Sequence, residues 1–205
     1  LPLAAPSANP FGYVSPTCIG QVKATLGDRV KIMLDGGECA VGLESTILDI
    51  TGPISKILRP GAITADAISK VLGEDVVDYD VQIVSQSPNA PGQLKQHYCT
   101  NTRLVLFERG NRDLSQYFAG KTAIVFVQRP KDFDGIAKNL QLPTEAILWF
   151  SDDGNLNAVA KNLFSTLQRL DSASYDTILC ERPPREGIGV AIDDRLLRAA
   201  AKFKR

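Results

Sequence analysis

Apolar residues are unevenly spread along the chain. In the second half they gather into short runs at 104–107, 122–127, 146–150 and 177–180, each of a length suited to a buried strand. Segments with helical spacing lie between the runs. The clearest is 156–170, where Val159, Leu163, Phe164, Leu167 and Leu170 recur at the helical interval and share one face. A last helix is predicted over 188–202, with Ile192, Leu196, Leu197 and Ala200 as its buried stripe. Strands alternating with helices bury a sheet on both faces, so 103–205 reads as a small Rossmann-like α/β domain with a mostly parallel sheet.

The first half is patterned more thinly. Strands are predicted at 30–34, ending at Asp35-Gly36-Gly37, and at 45–50, ending at Thr51-Gly52-Pro53, with 54–58 returning as a hairpin partner. A strand over 45–50 sends Ser45 and Ile47 to one face and Thr46 and Leu48 to the other. Helical spacing of Ile63, Ala67, Ile68, Val71 and Leu72 predicts a helix over 62–72 stopped by Gly73, and 19–26 has weaker helical character. From 85 to 102 the periodicity gives way to Ser, Pro, Asn, Gly and Gln, the composition of a linker. The expected order is therefore an α/β part over 1–84, a linker over 85–102 and the α/β domain over 103–205.

Composition narrows the classes. Apolar residues at 44% and charged residues at 22% are ordinary for a globular chain, and no apolar run approaches the roughly 20 residues that span a bilayer. The 23 basic and 23 acidic residues cancel, so no global field gathers nucleic acid, and any RNA contact is local. Cys18, Cys39, Cys99 and Cys180 form no CxxC pair and His97 is the only histidine, which disfavours a zinc site or disulfide framework and suits a reducing cytoplasm. The opening Leu1-Pro2-Leu3 has no basic n-region and no Met, and reads as a cut end rather than a signal peptide.

Four patches carry small donors on tight turns: residues 3–12, Ser15-Pro16-Thr17, Glu44-Ser45-Thr46 and Arg59-Pro60-Gly61. Hydroxyls, turn amides and one guanidinium fork suit phosphate oxygens. Each patch also has a plainer reading. Pro6-Ser7-Ala8-Asn9 can be an Asx or Ser turn, and Ser15 or Thr17 can cap the helix that follows. Thr46 can be only a β-former, and Pro60-Gly61 suits the centre of a type II turn that holds Arg59. The 91–98 segment, Pro91 to Tyr98, puts the lone histidine beside an aromatic in an otherwise tether-like stretch, as loops that fold over a site do. No P-loop, dinucleotide fingerprint or nucleophile elbow occurs.

Taken together, PLAAPSANPFG, SPT, LDGGECAVGLESTILD, ILRPGAIT and APGQLKQHY, in this order and spacing, resemble the YrdC-like family of threonylcarbamoyl-AMP synthases in its long form with an extra C-terminal domain. The likeness is strong over roughly residues 1–100 and looser beyond, through ERPPREGIGVAIDDRLLRAA. It implies the C-terminal part of a YrdC-like twisted-sheet catalytic domain, a linker and a Rossmann-like domain, with the N-terminal half of the catalytic domain absent and this chain inactive alone. It implies Ser7, Ser15, Arg59 and Lys95 as ATP contacts and Ala5 and Ser45 as threonine contacts. Asn9, Thr46, His97 and Tyr98 are implied to support or cover the site.

The implied reaction condenses L-threonine, bicarbonate and ATP to threonylcarbamoyl-adenylate and pyrophosphate. The adenylate then passes to a tRNA threonylcarbamoyl transferase complex. Mg2+ is expected with ATP, with no protein ligand for it. The ending Cys99-Thr100 and Gln93 depart from the family's usual linker, which bears on the path of that loop. Another reading is a non-catalytic remnant that binds RNA or a partner. A carbamoylating maturation enzyme is disfavoured by the lack of zinc-finger cysteine pairs.

Overall fold

The computed structural model describes residues 2, 4–77, 90–111 and 113–203. The expected boundary at 84 and the first part of the expected linker, 85–89, lie outside the described residues. In chain order the elements are α1 (Ile19–Leu26), β1 (Ile47–Asp49), β2 (Lys56–Arg59), α2 (Ala65–Leu72), β3 (Arg103–Phe107), β4 (Thr122–Gln128), α3 (Phe133–Leu140), β5 (Ile147–Ser151), α4 (Leu156–Asp171), β6 (Thr177–Glu181) and α5 (Gly189–Ala200).

The last four strands form one parallel sheet in the order β3-β6-β4-β5. Its strands read as unbroken apolar runs because both faces are covered. Leu104, Ala123, Val125, Val127, Ile178 and Cys180 point to the face packed by α4 and α5, and Phe107, Ile124 and Leu179 to the face packed by Tyr117, Phe118, Leu140 and Leu142. The helical stripe of 156–170 is in place: Val159, Leu163, Phe164, Leu167 and Leu170 are all buried on α4. Burying each such side chain stabilises by about 1.5–3 kcal/mol. Asn155 starts the helix by accepting the amides of Asn157 and Ala158.

The first half departs further from its pattern. Residues 30–34 form no strand, and Ile32 and Leu34 are 82% and 92% exposed. A short apolar run needs a neighbour to become a strand, and no strand pairs with 30–34 among the described residues. The helix expected over 62–72 begins later, at Ala65, with Thr64 accepting the Ala67 amide as N-cap and Gly73 ending it at φ 72°. Much of its expected apolar stripe is outward: Val71 and Leu72 are exposed, Ile63 lies exposed before the helix, and Ile68 is half-buried. The hairpin forms, but β1 is only three residues long and its register slips between Ile47 and Leu48. Ser45 and Thr46 therefore precede the strand, and the alternation argument does not reach them.

What holds the first half is contact with the second. Val14 and Leu43 belong to the same core as Tyr98, Phe164 and Leu167. Gln168 on α4 donates its side-chain amide to the carbonyls of Val14 and Ser15, at 3.3 and 3.1 Å. The 90–102 part of the expected linker is also built in, with Tyr98 1%, Cys99 7% and Thr100 0% exposed.

Candidate active site

Pairing of β1 with β2 sets Ile47 opposite Arg59, so the end of β2 lies beside Ser45. Arg59 donates from Nε to the Ser45 carbonyl at 3.0 Å and from Nη2 to Ser45 Oγ at 3.4 Å. Its Nη1 donates to the Pro91 carbonyl at 3.3 Å. Gly61 is not among the glycines at positive φ, so the turn after Arg59 is not type II. The glycine serves close approach instead, since a Cβ there would meet the backbone of Ser45 and Thr46 and lie 2.8 Å from the Glu44 carbonyl.

Ser15 is buried and donates its hydroxyl to Glu44 Oε1 at 2.7 Å. It is not a helix cap: Cys18 occupies that position, and Thr17 bonds Gln21 through its amide and hydroxyl. Thr46 donates its hydroxyl to the Ile63 carbonyl at 2.7 Å, tying β1 to the start of α2 rather than facing Arg59. Asn9 donates to the carbonyls of Pro10 and Tyr13, closing the PSAN turn, while its Oδ1 is buried without a partner.

Tyr98 stands in the left-handed region at φ 59°, stacked on Phe164 with ring centroids 5.5 Å apart. Its Oη is buried without a hydrogen-bond partner among the described residues, as is His97 Nδ1. Gly92, at φ 84°, lies between Tyr98 and Arg59: a Cβ there would be 2.5 Å from Tyr98 Oη and 3.2 Å from Arg59 Cδ. The unpartnered hydroxyl is thus next to the Arg59 side chain. Burial pushes the Tyr98 phenol up to about 12. Burial, helped by Arg198, Arg195 and Arg59 and opposed by Glu44, holds His97 below its usual value.

Two groups come from α5. Arg195 donates from Nε to Glu44 Oε2 at 3.0 Å and from Nη2 to the Pro60 carbonyl at 2.9 Å. Burial pushes the Glu44 carboxyl up, but the Arg195 charge and the Ser15 hydroxyl outweigh it and leave it below the usual carboxylate value. Of the expected stripe on α5, Ile192, Leu196 and Ala200 are buried and Leu197 is only half-buried, and the reading missed that Asp193, Asp194, Arg195 and Arg198 are buried too. The available signal was four charges within six positions of a helix flanked by apolar sequence.

Ser15, Ser45, Arg59 and Tyr98 are thus brought together. Ala5, Ser7 and Lys95 are exposed, and no hydrogen bond joins Ser7 or Lys95 to Ser45 or Arg59 among the described residues. A cleft of about 720 Å³ between α1 and α4, lined by Tyr13, Cys18, Gln21, Cys99 and Gln168, shares no residue with this group. Among the described residues no cluster of three or more His, Cys, Asp or Glu side chains fits a metal ion, and no helix is long and apolar enough to cross a membrane.

A family model described as threonylcarbamoyl-AMP synthase, C-terminal domain, matches residues 63–201, and one described as telomere recombination matches 1–61. This chain belongs to the threonylcarbamoyl-AMP synthase C-terminal domain family. It is similar to the threonylcarbamoyl-AMP synthases of Pyrococcus abyssi, 31% identical over 97% of this chain and 58% of that protein, and of Bacillus subtilis, 32% identical over 98% and 57%. The crystal structure of P. abyssi Sua5 complexed with L-threonine superposes with a TM-score of 0.77 at 27% identity, over 95% of this chain and 56% of that one. The chain spans about half the length of the curated relatives it matches. The two family models meet between Gly61 and Ile63, at the turn whose Pro60 carbonyl Arg195 holds.

Proposed function

We propose that this chain is part of an enzyme that condenses L-threonine, bicarbonate and ATP to threonylcarbamoyl-adenylate and pyrophosphate, supplying tRNA threonylcarbamoyladenosine synthesis in the cytoplasm. The observation that carries the reading is that Arg59, bonded to Ser45, meets the unpartnered Tyr98 hydroxyl across Gly92. Relatives named threonylcarbamoyl-AMP synthase support it, as does a structural neighbour solved with L-threonine. In this reading Ser7, Ser15, Arg59 and Lys95 contact ATP, and Ala5 and Ser45 contact threonine. Asn9 and Thr46 brace the turns, and His97 and Tyr98 cover the nucleotide. Residues 1–84 are the share of the catalytic domain present, 85–102 the connecting segment and 103–205 the C-terminal domain.

The chemistry suits these groups. Carbamate formation needs no covalent nucleophile, and attack on the α-phosphate needs positioning and charge neutralisation, which hydroxyls and a guanidinium fork supply. Covering the site also protects a labile adenylate from water. Mg2+ would enter with ATP as part of the substrate, bridging its phosphates. The adenylate passes to a tRNA threonylcarbamoyl transferase complex, with RNA contact local at most.

The test is pyrophosphate release in the presence of threonine, bicarbonate and ATP. The full-length enzyme is expected to release pyrophosphate only when both threonine and bicarbonate are present, and the 205-residue chain alone to release none. Release by the full-length protein that ignores threonine, or none at all, overturns the reading and favours a binding module.

A further inference from the structure

One buried guanidinium touches Tyr98 and the chain neighbours of Ser45 and Arg59. Arg195 is 1% exposed, and its fork reaches Glu44 Oε2 at 3.0 Å, Asp194 Oδ2 at 2.8 Å and the Pro60 carbonyl at 2.9 Å. Its guanidinium carbon lies 5.0 Å from the centroid of the Tyr98 ring. The Glu44 and Pro60 contacts are each one bond or one residue from a group assigned above. Glu44 precedes Ser45 and accepts the Ser15 hydroxyl through its other oxygen, and Pro60 follows Arg59. Asp194 also accepts from Arg198 Nε at 2.9 Å, and Arg198 Nη1 donates to the carbonyls of Gln93 and Leu94 at 2.8 and 2.7 Å. The helix thereby also grips the segment leading to His97.

Burying a charge cluster of this kind is a poor route to stability, since well-packed apolar residues of similar volume often do as well or better. What a planar cation with five donors supplies instead is fixed relative geometry among the groups it bonds. We propose that Arg195 is a positioning residue that sets the placement of Ser15, Ser45, Arg59 and Tyr98 relative to one another, and that the C-terminal domain serves the reaction by presenting α5 as the template for the site. The proposal rests on the threonine and ATP reading given above.

The experiment compares the full-length protein with Arg195→Lys, Glu44→Gln, their combination, and Arg182→Lys as a matched control. Arg182 pairs with Asp193 on that helix and with Glu108, and no hydrogen bond joins it to a site segment among the described residues. Steady-state pyrophosphate release and amide hydrogen exchange are read together. Arg195→Lys is expected to lower kcat/KM by about 100-fold and to raise KM for both threonine and ATP, as small misplacements of a site do. Adding Glu44→Gln to it should change little more, because the two act through one contact. Exchange should quicken at 43–46, 59–61 and 97–99 but not in β4 or β6, and Arg182→Lys should leave KM values and site exchange unchanged.

Unchanged KM values with a uniform quickening across the sheet, or fully additive effects in the double variant, would overturn the proposal. Should Arg195→Lys not fold, the paired Glu44→Gln, Arg195→Gln variant neutralises both charges and is judged by the same readouts. A wild-type protein that turns over no threonine sinks the functional reading alone, because the exchange comparison still decides the positioning role.

Discussion

Residues 103–203 carry a parallel sheet whose four strands are buried on both faces, whereas residues 4–77 carry two short strands and two eight-residue helices that contain no buried residue. Every exposed large apolar side chain among the described residues lies between Phe11 and Leu94, and none lies beyond. The first region thus has little core of its own. Val14, Leu43 and Tyr98 are lodged in the core of the second, and Glu44 and Pro60 are held by Arg195. A site made of turns from a thinly packed region can keep its shape when a well-packed neighbour holds those turns.

The largest effect that probes this contrast is on stability. Phe164→Ala, which empties the core and removes the surface under Tyr98, should cost about 3–5 kcal/mol in urea unfolding, while Val71→Ala, 85% exposed, should stay within about 0.5 kcal/mol. A Val71→Ala cost approaching that of Phe164→Ala would mean that the outward face of α2 is covered in solution, and the contrast would fail.

Next in size is a change confined to the site. On the proposed reading, Arg59→Lys in the full-length protein should weaken ATP use by about 1.5–3 kcal/mol, the range for a lost charged hydrogen bond, with unfolding nearly unchanged. Ser45→Ala should raise KM for threonine more than for ATP. Because Arg59 Nη2 reaches Ser45 Oγ, equal effects of both variants on both substrates would merge the two pockets into one.

The smallest effect is the pH dependence carried by His97. Its value is lowered in the folded protein, so the unfolded chain binds the proton more readily, and this contribution is present above about 6.5 and lost as pH falls through the folded value. Thermal unfolding of His97→Asn between pH 7.5 and 5 should show a shallower loss of stability on the acid side than wild type. Parallel curves would show that His97 is solvated rather than enclosed by the segment around Tyr98.

The strands of the second region and α4 were legible because burial on both faces, or along one helical stripe, leaves an apolar pattern that few other arrangements produce. Residues 30–34 show the limit of that reasoning, since a short apolar run ending at a turn says a strand could form but not whether a neighbour exists. The group of Ser15, Ser45 and Arg59 was legible through the order of its motifs, not through any one of them. Glu44 and Arg195 were not: Asp-Asp-Arg with Arg198 at helical spacing also describes a solvated face, and only the three-dimensional contacts show it is buried. Tyr98 was legible as an aromatic out of place in a tether-like stretch, but that composition is silent about the Phe164 ring it stacks on.

The order of the sheet also bears on how the protein assembles. β6 lies between β3 and β4 and is the only described strand paired with β3, so the first of the four strands synthesised waits for the last before it can join. β4 and β5 can pair early, but closure depends on a distant segment, which raises the contact order and slows folding. Until β6 arrives, the Leu104 to Phe107 edge is an unpaired apolar strand in a growing chain, the state in which such a protein is most exposed to aggregation.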